Sequence, residues 1–339
     1  MATTLKHIAE KLNISVAAVS KALNNSSDIS EKTKRLVCET AKAMNYTPNA
    51  IARGLVTNKT NTIGIIIPDI TNPFYPEIEL GIEDTVSKKG YNVFLCNSNG
   101  KVKREEEYMR LLISKKVDGI IWAPVGGENT ELINNIEIPL VTLCIKSGYE
   151  NENFIGIDDF QGGYIATKHL LANGYKNILY IGDKNNIKST KERLNGYKKA
   201  LNEFNIEIKD ELIVGGSFTR ESGYEITKEI FTNYKDIDGI FAVNDLIALG
   251  AMQALRELGF KIPDEVGIVG FDDISFAKLE EISLTSVIQP KYNMGTLAAD
   301  MILRKIENND KFCENVTLQP KLAIRSTVRK RAKSEEGRC

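Results

Sequence analysis

Histidine is nearly absent from this 339-residue chain: His7 and His169 are the only two. A histidine-based triad or zinc site in the body of the chain therefore has nothing to be built from. The chain also lacks a G-x-x-x-x-G-K-[ST] loop, a G-x-G-x-x-G turn after its first strand-like run, and a G-x-S-x-G elbow. Those absences remove the common phosphate cradles and the hydrolase nucleophile turn. Acidic pairs exist at Asp158-Asp159 and Asp272-Asp273, but such pairs more often cap helices or contact ligands at strand ends. No enzymatic activity, cofactor or metal is expected. The five cysteines (38, 96, 144, 313, 339) are scattered singly, without a C-x-x-C pair, which points to reduced thiols rather than a disulfide framework. Cys38, Cys96 and Cys144 lie in apolar runs and are expected in the core. No run approaches the roughly 18 apolar residues of a membrane span, and the N-terminus lacks a signal peptide's apolar segment, so a cytoplasmic protein is expected.

What is present is unevenly distributed. Residues 1–60 carry nine Lys/Arg against four Asp/Glu, whereas the remainder carries thirty-five against forty-one. A basic head on an acidic body suits a phosphate-facing module attached to a soluble receptor. Within the head, Leu5, Ile8, Ala9 and Leu12 recur at helical spacing. Asn13 stands where the chain must turn and tolerates the left-handed conformation. Ser15 is placed to cap a second helix whose apolar face is Val19, Ala22 and Leu23. Val16, Ala17, Ser20 and Lys21 then point away from that face. Two short helices joined this way form a helix-turn-helix, whose second helix can enter a major groove. A small apolar tip with one lysine can meet thymine methyls and a guanine edge. Ser30 is placed to cap a third helix running through Leu36, Val37, Thr40, Ala41 and Met44, and Pro48 ends that unit. The following piece, from Pro48 to Val56, is short and contains Gly54, so a helix there forms only when something holds it.

From Ile63 the texture changes. Ile63-Gly64-Ile65-Ile66-Ile67 is the continuous apolar run of a parallel strand buried on both faces. Runs at 91–95, 119–122 and 140–143 repeat it, and a second series follows at 177–181, 239–243 and 266–270, with amphipathic stretches between. Lys116-Val117-Asp118-Gly119-Ile120-Ile121 is echoed 120 residues later by Asp236-Ile237-Asp238-Gly239-Ile240-Phe241. Two doubly wound α/β lobes of similar design are expected, with ligands beyond the carboxyl ends of their strands.

Val19-Ser20-Lys21-Ala22-Leu23-Asn24, the stretch from Asn45 through Pro48 and Arg53 to Leu55, and Gly270-Phe271-Asp272-Asp273 occur in that order. With them the chain resembles the lactose-repressor (LacI/GalR) family of bacterial transcription regulators from Thr4 to about Arg329. The resemblance implies an all-α helix-turn-helix DNA-binding head (1–47), a hinge helix and linker (48–61), and an α/β periplasmic-binding-protein-like receptor (62–329). Lobe 1 is expected to hold about 62–160 and 291–320, and lobe 2 about 161–290 and 321–329. The polar tail, 330–339, is expected to be disordered. By the same resemblance Val16, Ala17 and Lys21 match base-reading positions, and Ser15, Asn24, Ser30 and Thr33 match phosphate contacts. Leu55, beside Arg53, matches the hinge leucine that wedges into the minor groove. Phe74, Tyr75, Arg193, Phe218, Asn244, Asp272 and Gln289 match effector-binding positions, a chemistry that fits a polyol: an aromatic face on a sugar ring, with Arg, Asn and Asp on vicinal hydroxyls. The implied partners are double-stranded DNA with a palindromic operator, a small-molecule effector such as a sugar or glycoside, and a second copy in a homodimer.

The chain departs from the family's usual text in places. His7, Asn13, Ala18 and Lys21 stand where aspartate, glycine, threonine and arginine are commoner, and lysine cannot offer guanine a planar fork. Cys144-Ile145 replaces the Asp-Arg that many sugar-responsive members carry, which leaves room for a glycoside, an oligosaccharide or a nucleobase corepressor. Control by a phosphorylated carrier protein is disfavoured, since Asp300 stands where such control uses an arginine. A solute-binding protein of the same architecture is disfavoured by the basic head.

Overall fold

The computed structural model describes residues 3–47, 59–126, 136–147, 152–184, 187–308 and 312–331. It divides into two compact units, Met1–Thr60 and Asn61–Cys339. In the first, α1 (Leu5–Leu12), α2 (Val16–Leu23) and α3 (Glu31–Ala43) close over Ile8, Ala9, Val19, Ala22, Val37 and Ala41. The turn between α1 and α2 is made by Asn13, whose φ of 54° is left-handed. The Ser15 hydroxyl then accepts from the Ala18 amide at 3.1 Å and caps α2. His7 has a local role: its Nδ1 accepts from the Thr4 amide at 3.3 Å, satisfying a first-turn donor as a carboxylate would.

The second unit contains two sheets of the same design. The first runs β11-β5-β4-β3-β1-β2 and the second β12-β10-β9-β8-β6-β7. In lobe 1 the strands are β1 (Thr62–Ile67), β2 (Asn92–Asn97), β3 (Gly119–Trp122), β4 (Leu140–Leu143), β5 (Phe154–Ile157) and β11 (Asn315–Leu318), all parallel. Lobe 2 has β6 (Ile178–Asp183), β7 (Ile213–Gly216), β8 (Gly239–Ala242), β9 (Gly267–Asp272) and β10 (Thr285–Ile288), also parallel. The short β12 (Lys321–Ala323) pairs antiparallel with β10. The 120-residue echo falls on β3 and β8, which hold the same rank in the two sheets. The chain crosses between lobes after β5, after β10 and after β11.

The apolar run of β1 divides between the two faces of its sheet, as the strand's alternation requires. Ile63, Ile65 and Ile67 join the large core with Ile78 and Ile82 of α4 (Phe74–Val86). Ile66 faces the other way, onto Trp122 and onto Met109 and Leu112 of α5 (Val102–Ser114). Gly64 shares that second face, and a Cβ there would lie 2.5 Å from Leu112.

Three helix pairs flank the sheets, each closed by glycines that face the partner's backbone. Gly163 of α6 (Asp159–Ala172) lies against the Arg193 carbonyl of α7 (Lys188–Glu203), and Gly196 of α7 lies against the Phe160 carbonyl. Gly223 of α8 (Arg220–Asn233) and Gly250 of α9 (Asp245–Glu257) pair in the same way. So do Gly81 of α4 and Gly295 of α10 (Lys291–Asn308). At each of the six positions a Cβ would collide with a backbone carbonyl.

Two expectations fail here. Cys38 is exposed rather than in the core, and its neighbour Leu36 is 49% exposed, because α3 turns only its Val37, Thr40 and Ala41 face inward. Arg331, assigned to the disordered tail, is held in place. Its amide donates to the Asn173 carbonyl at 2.9 Å, its guanidinium pairs with Asp238 at 2.6 Å and lies over the Tyr175 ring.

Candidate functional site

On the head, α2 turns Val16, 44% exposed, outward together with Ala17 and Lys21. The Lys21 ammonium pairs with Asp28 at 3.0 Å, but both side chains are more than half exposed, and such a pair contributes little. Around this face Ser15 caps α2 and Asn24 ends it. Ser30 caps α3, accepting from the Thr33 amide at 3.3 Å while its hydroxyl meets that of Thr33 at 2.9 Å. Arg53 and Leu55 lie outside the described residues.

The second site is a cleft of about 550 Å³ between the two sheets of the receptor. All seven residues matched to effector positions, drawn from 74 to 289, line it. They arrive there because each follows the carboxyl end of a strand: Phe74 and Tyr75 after β1, Phe218 after β7, Asn244 after β8, Asp272 at the end of β9 and Gln289 after β10. Arg193 comes from the second turn of α7. Phe74 and Tyr75 meet edge to face at 5.1 Å. Phe74 also belongs to the core and Phe218 packs against it, so both serve packing as well as lining.

The polar groups on the lobe 2 side are fixed before any ligand arrives. Arg193 stacks on Phe271 with 3.6 Å between guanidinium carbon and ring centroid. It donates from Nε to Asp159 at 2.8 Å and from Nη1 to the Val243 carbonyl. The Asn244 side chain caps α9, accepting from the Ile247 amide at 2.9 Å, and donates to the Phe218 carbonyl at 3.2 Å. Gln289 donates to Asp272 Oδ1 at 2.7 Å, both side chains being buried.

Asp272 itself has φ 104° and Asp273 φ 51°, conformations costing an L-residue about 1–3 kcal/mol each. A buried network holds them. The Lys291 ammonium donates to the carbonyls of Asp272 and Asp273 at 2.7 and 2.9 Å and pairs with Glu77 of α4 at 3.5 Å. Asp245, fully buried, accepts from the Ile274 amide at 2.8 Å and the Ser286 hydroxyl at 2.6 Å. Arg325 pairs with Asp273 at 2.6 Å. Burial pushes the Asp245 carboxyl well up, and the neighbouring Asp272 adds to it. Burial likewise pushes Asp272 up to about 6, against the pull of Arg193, Gln289 and Lys291.

Sequence reasoning missed Lys291, Asp245, Asp183 and Ser189, of which the last two line the cleft. The signal for Lys291 was its place directly after Gln289-Pro290, where the chain returns to lobe 1. Cys144 and Ile145 line the cleft as well. Cys144, expected in the core, is only half-buried and has φ 66°.

Residues 4–49 match the family of bacterial regulatory proteins described as lacI family. Residues 60–326 match the family of periplasmic binding proteins and sugar binding domain of LacI family. The chain is 37% identical to the HTH-type transcriptional regulator RegA of Clostridium saccharobutylicum, over 97% of this chain and 100% of that protein. It is 31% identical to the HTH-type transcriptional repressor PurR of Mannheimia succiniciproducens, over 96% of this chain and 99% of that one. Among solved structures, the transcriptional regulator CelR in complex with cellobiose is 27% identical and superposes with a TM-score of 0.74, covering 96% and 99% of the two chains.

Proposed function

This chain belongs to the LacI family of transcriptional repressors, and from that premise we propose that a small uncharged carbohydrate held in the cleft sets its affinity for an operator. The observation that carries this reading is the convergence of Tyr75, Arg193, Asn244, Asp272 and Gln289 on one cleft. An aromatic ring and paired donors and acceptors are what a polyol demands. Among the described residues, Asp69, Asp183 and Asp272 line the cleft against a single cation, Arg193. That cation already pairs with Asp159, so a phosphorylated ligand would meet an acidic surplus. CelR, the structural relative, binds cellobiose.

On the output side, Val16, Ala17 and Lys21 read base edges. Ser15, Asn24, Ser30 and Thr33 bind phosphates, and the Ser15 hydroxyl keeps its proton to donate because it caps α2 as an acceptor. Arg53 and Leu55, in the hinge, complete the grip from the minor groove. Two copies on a palindromic operator complete the assembly.

Thermal-shift measurement against neutral sugars, glycosides and purine bases tests the reading, because a ligand selective for the fold raises the melting point. A sugar or glycoside shift that disappears in Arg193→Ala supports it. Shifts from purine bases alone would replace the carbohydrate with a nucleobase corepressor. No shift from any of them would point to control by a protein partner.

A further inference from the structure

A second cavity of about 200 Å³ adjoins the effector cleft and is more open to solvent than the cleft itself. Cys144, Ile145 and Ser189 line both cavities, so they stand on the boundary between them. We infer that the two cavities are consecutive subsites of one binding site and that the effector is a neutral disaccharide, with one ring in each. This rests on the carbohydrate reading above and deepens it.

The boundary suits a glycosidic link. Cys144 adopts φ 66°, and the Ile145 amide closes back onto the Leu143 carbonyl at 2.7 Å, so the chain after β4 folds tightly there. Ile145 presents only hydrocarbon. Ser189, buried in the first turn of α7, supplies one small hydroxyl. An ether oxygen flanked by C–H groups needs little more than one donor and an apolar wall.

The second cavity has the means to hold a second ring. Phe160 lines it with a ring that is 37% exposed although its helix packs against the core, whereas Phe154 is buried and lies beneath the Lys146 ammonium at 5.3 Å. Around that ring stand Lys146 and Lys188 with Asp158, Asp159 and Glu192. One exposed ring, that of Phe160, bordered by separate donors and acceptors matches the C–H face and the hydroxyl rim of a hexose.

The two subsites are also joined by an ion pair. Asp159 lines the second cavity and Arg193 the cleft, and they meet at 2.8 Å, both nine-tenths buried or close to it. The group that orients Arg193 toward the first ring is therefore within the surroundings of the second. A disaccharide would be sensed as a unit, not as two independent rings.

Native mass spectrometry of the full chain tests this. The probes are a mixture of neutral disaccharides of glucose, galactose, mannose and xylose, their monosaccharides, hypoxanthine and guanine. The expected result is capture of a disaccharide in preference to its monomer by about tenfold or more in affinity, one RT ln 10 step. In Phe160→Ala, and separately in Glu192→Gln, that ratio of affinities collapses toward unity, while the ligand-free melting points show that the variants are folded. Capture of a monosaccharide or a purine with no preference for any disaccharide would overturn the two-subsite inference and leave a small-molecule effector standing. Capture of nothing would overturn the carbohydrate reading with it.

Discussion

Asp272 sits at the point where the cleft's chemistry and its backbone geometry meet. Its carboxyl is raised to about 6, chiefly by burial. The folded value lies above the unfolded one of about 3.9, so this group's contribution to stability is complete below the unfolded value and is lost as pH rises through about 6. Ligand hydroxyls donate to the ionised form, so binding should show the opposite trend. Calorimetric titration of the captured sugar should show affinity falling as pH drops below about 6, and Asp272→Asn should lose both the slope and about 1.5–3 kcal/mol of binding. An affinity independent of pH in the native chain would remove Asp272 from the ligand. Glu105 supplies a contrasting case. It accepts from the Val125 amide at 2.8 Å, and Val125 lines the cleft. Burial raises its carboxyl to about 7, so its contribution too is complete at low pH and is lost as pH rises through about 7. Glu105→Gln removes the titration, so melting curves at pH 5.5 and 8.5, chosen about one and a half units either side of that value, should show the native chain losing ground to the variant at the higher pH. Equal differences at both would refute the assignment.

At the scale of elements, the glycine pairs set how closely the flanking helices approach. The α6–α7 pair matters most, because the carbonyl opposite Gly163 belongs to Arg193. Gly163→Ala cannot be accommodated by a rotamer change, since the colliding group is backbone. Overpacking of this kind costs about 1–3 kcal/mol, visible as a lower denaturant midpoint, and the displacement should also weaken the captured ligand. The matching substitution Gly295→Ala presses on the Ile78 carbonyl, outside the cleft, and should cost similar stability with a smaller loss of ligand. If the two variants bind ligand equally, α7 does not position Arg193 through this contact. In the head, Ser15→Ala should remove about 1 kcal/mol of capping and weaken DNA binding by more than a surface substitution such as Lys11→Ala.

The whole molecule shows which features a sequence carries openly and which it does not. The helix-turn-helix was legible because Asn13 and Ser15 are local signals whose physics is complete within a few residues. Strands β1, β2, β3, β4, β6, β8 and β9 were legible as apolar runs. By contrast β5, β7, β10, β11 and β12 interrupt four residues or fewer with glycine or polar side chains and have no longer apolar run around them, so pairing with neighbours decides them. The cleft residues were placed by family resemblance, and no local pattern would have brought Phe74 beside Gln289. Lys291 and Asp245 escaped because a buried charge becomes intelligible only once the carbonyls, amides and hydroxyl around it are known. Cys38 misled because an apolar neighbour in sequence is not one on the same helix face. Arg331 was read as tail because its partners, Asp238 and Asn173, are distant in sequence.

The central claim is that a sugar in the cleft changes the grip of the head on DNA, a coupling between two distinct sites. It is tested most directly by fluorescence anisotropy with the full chain and a duplex it selects from a random-sequence library. Titrations are run with and without the saturating captured sugar, in the native chain and in Asp272→Asn. The account predicts a palindromic duplex and a Kd that changes by about tenfold or more on adding sugar, with no change in the variant. A sugar that saturates the cleft and leaves the operator Kd where it was would contradict it.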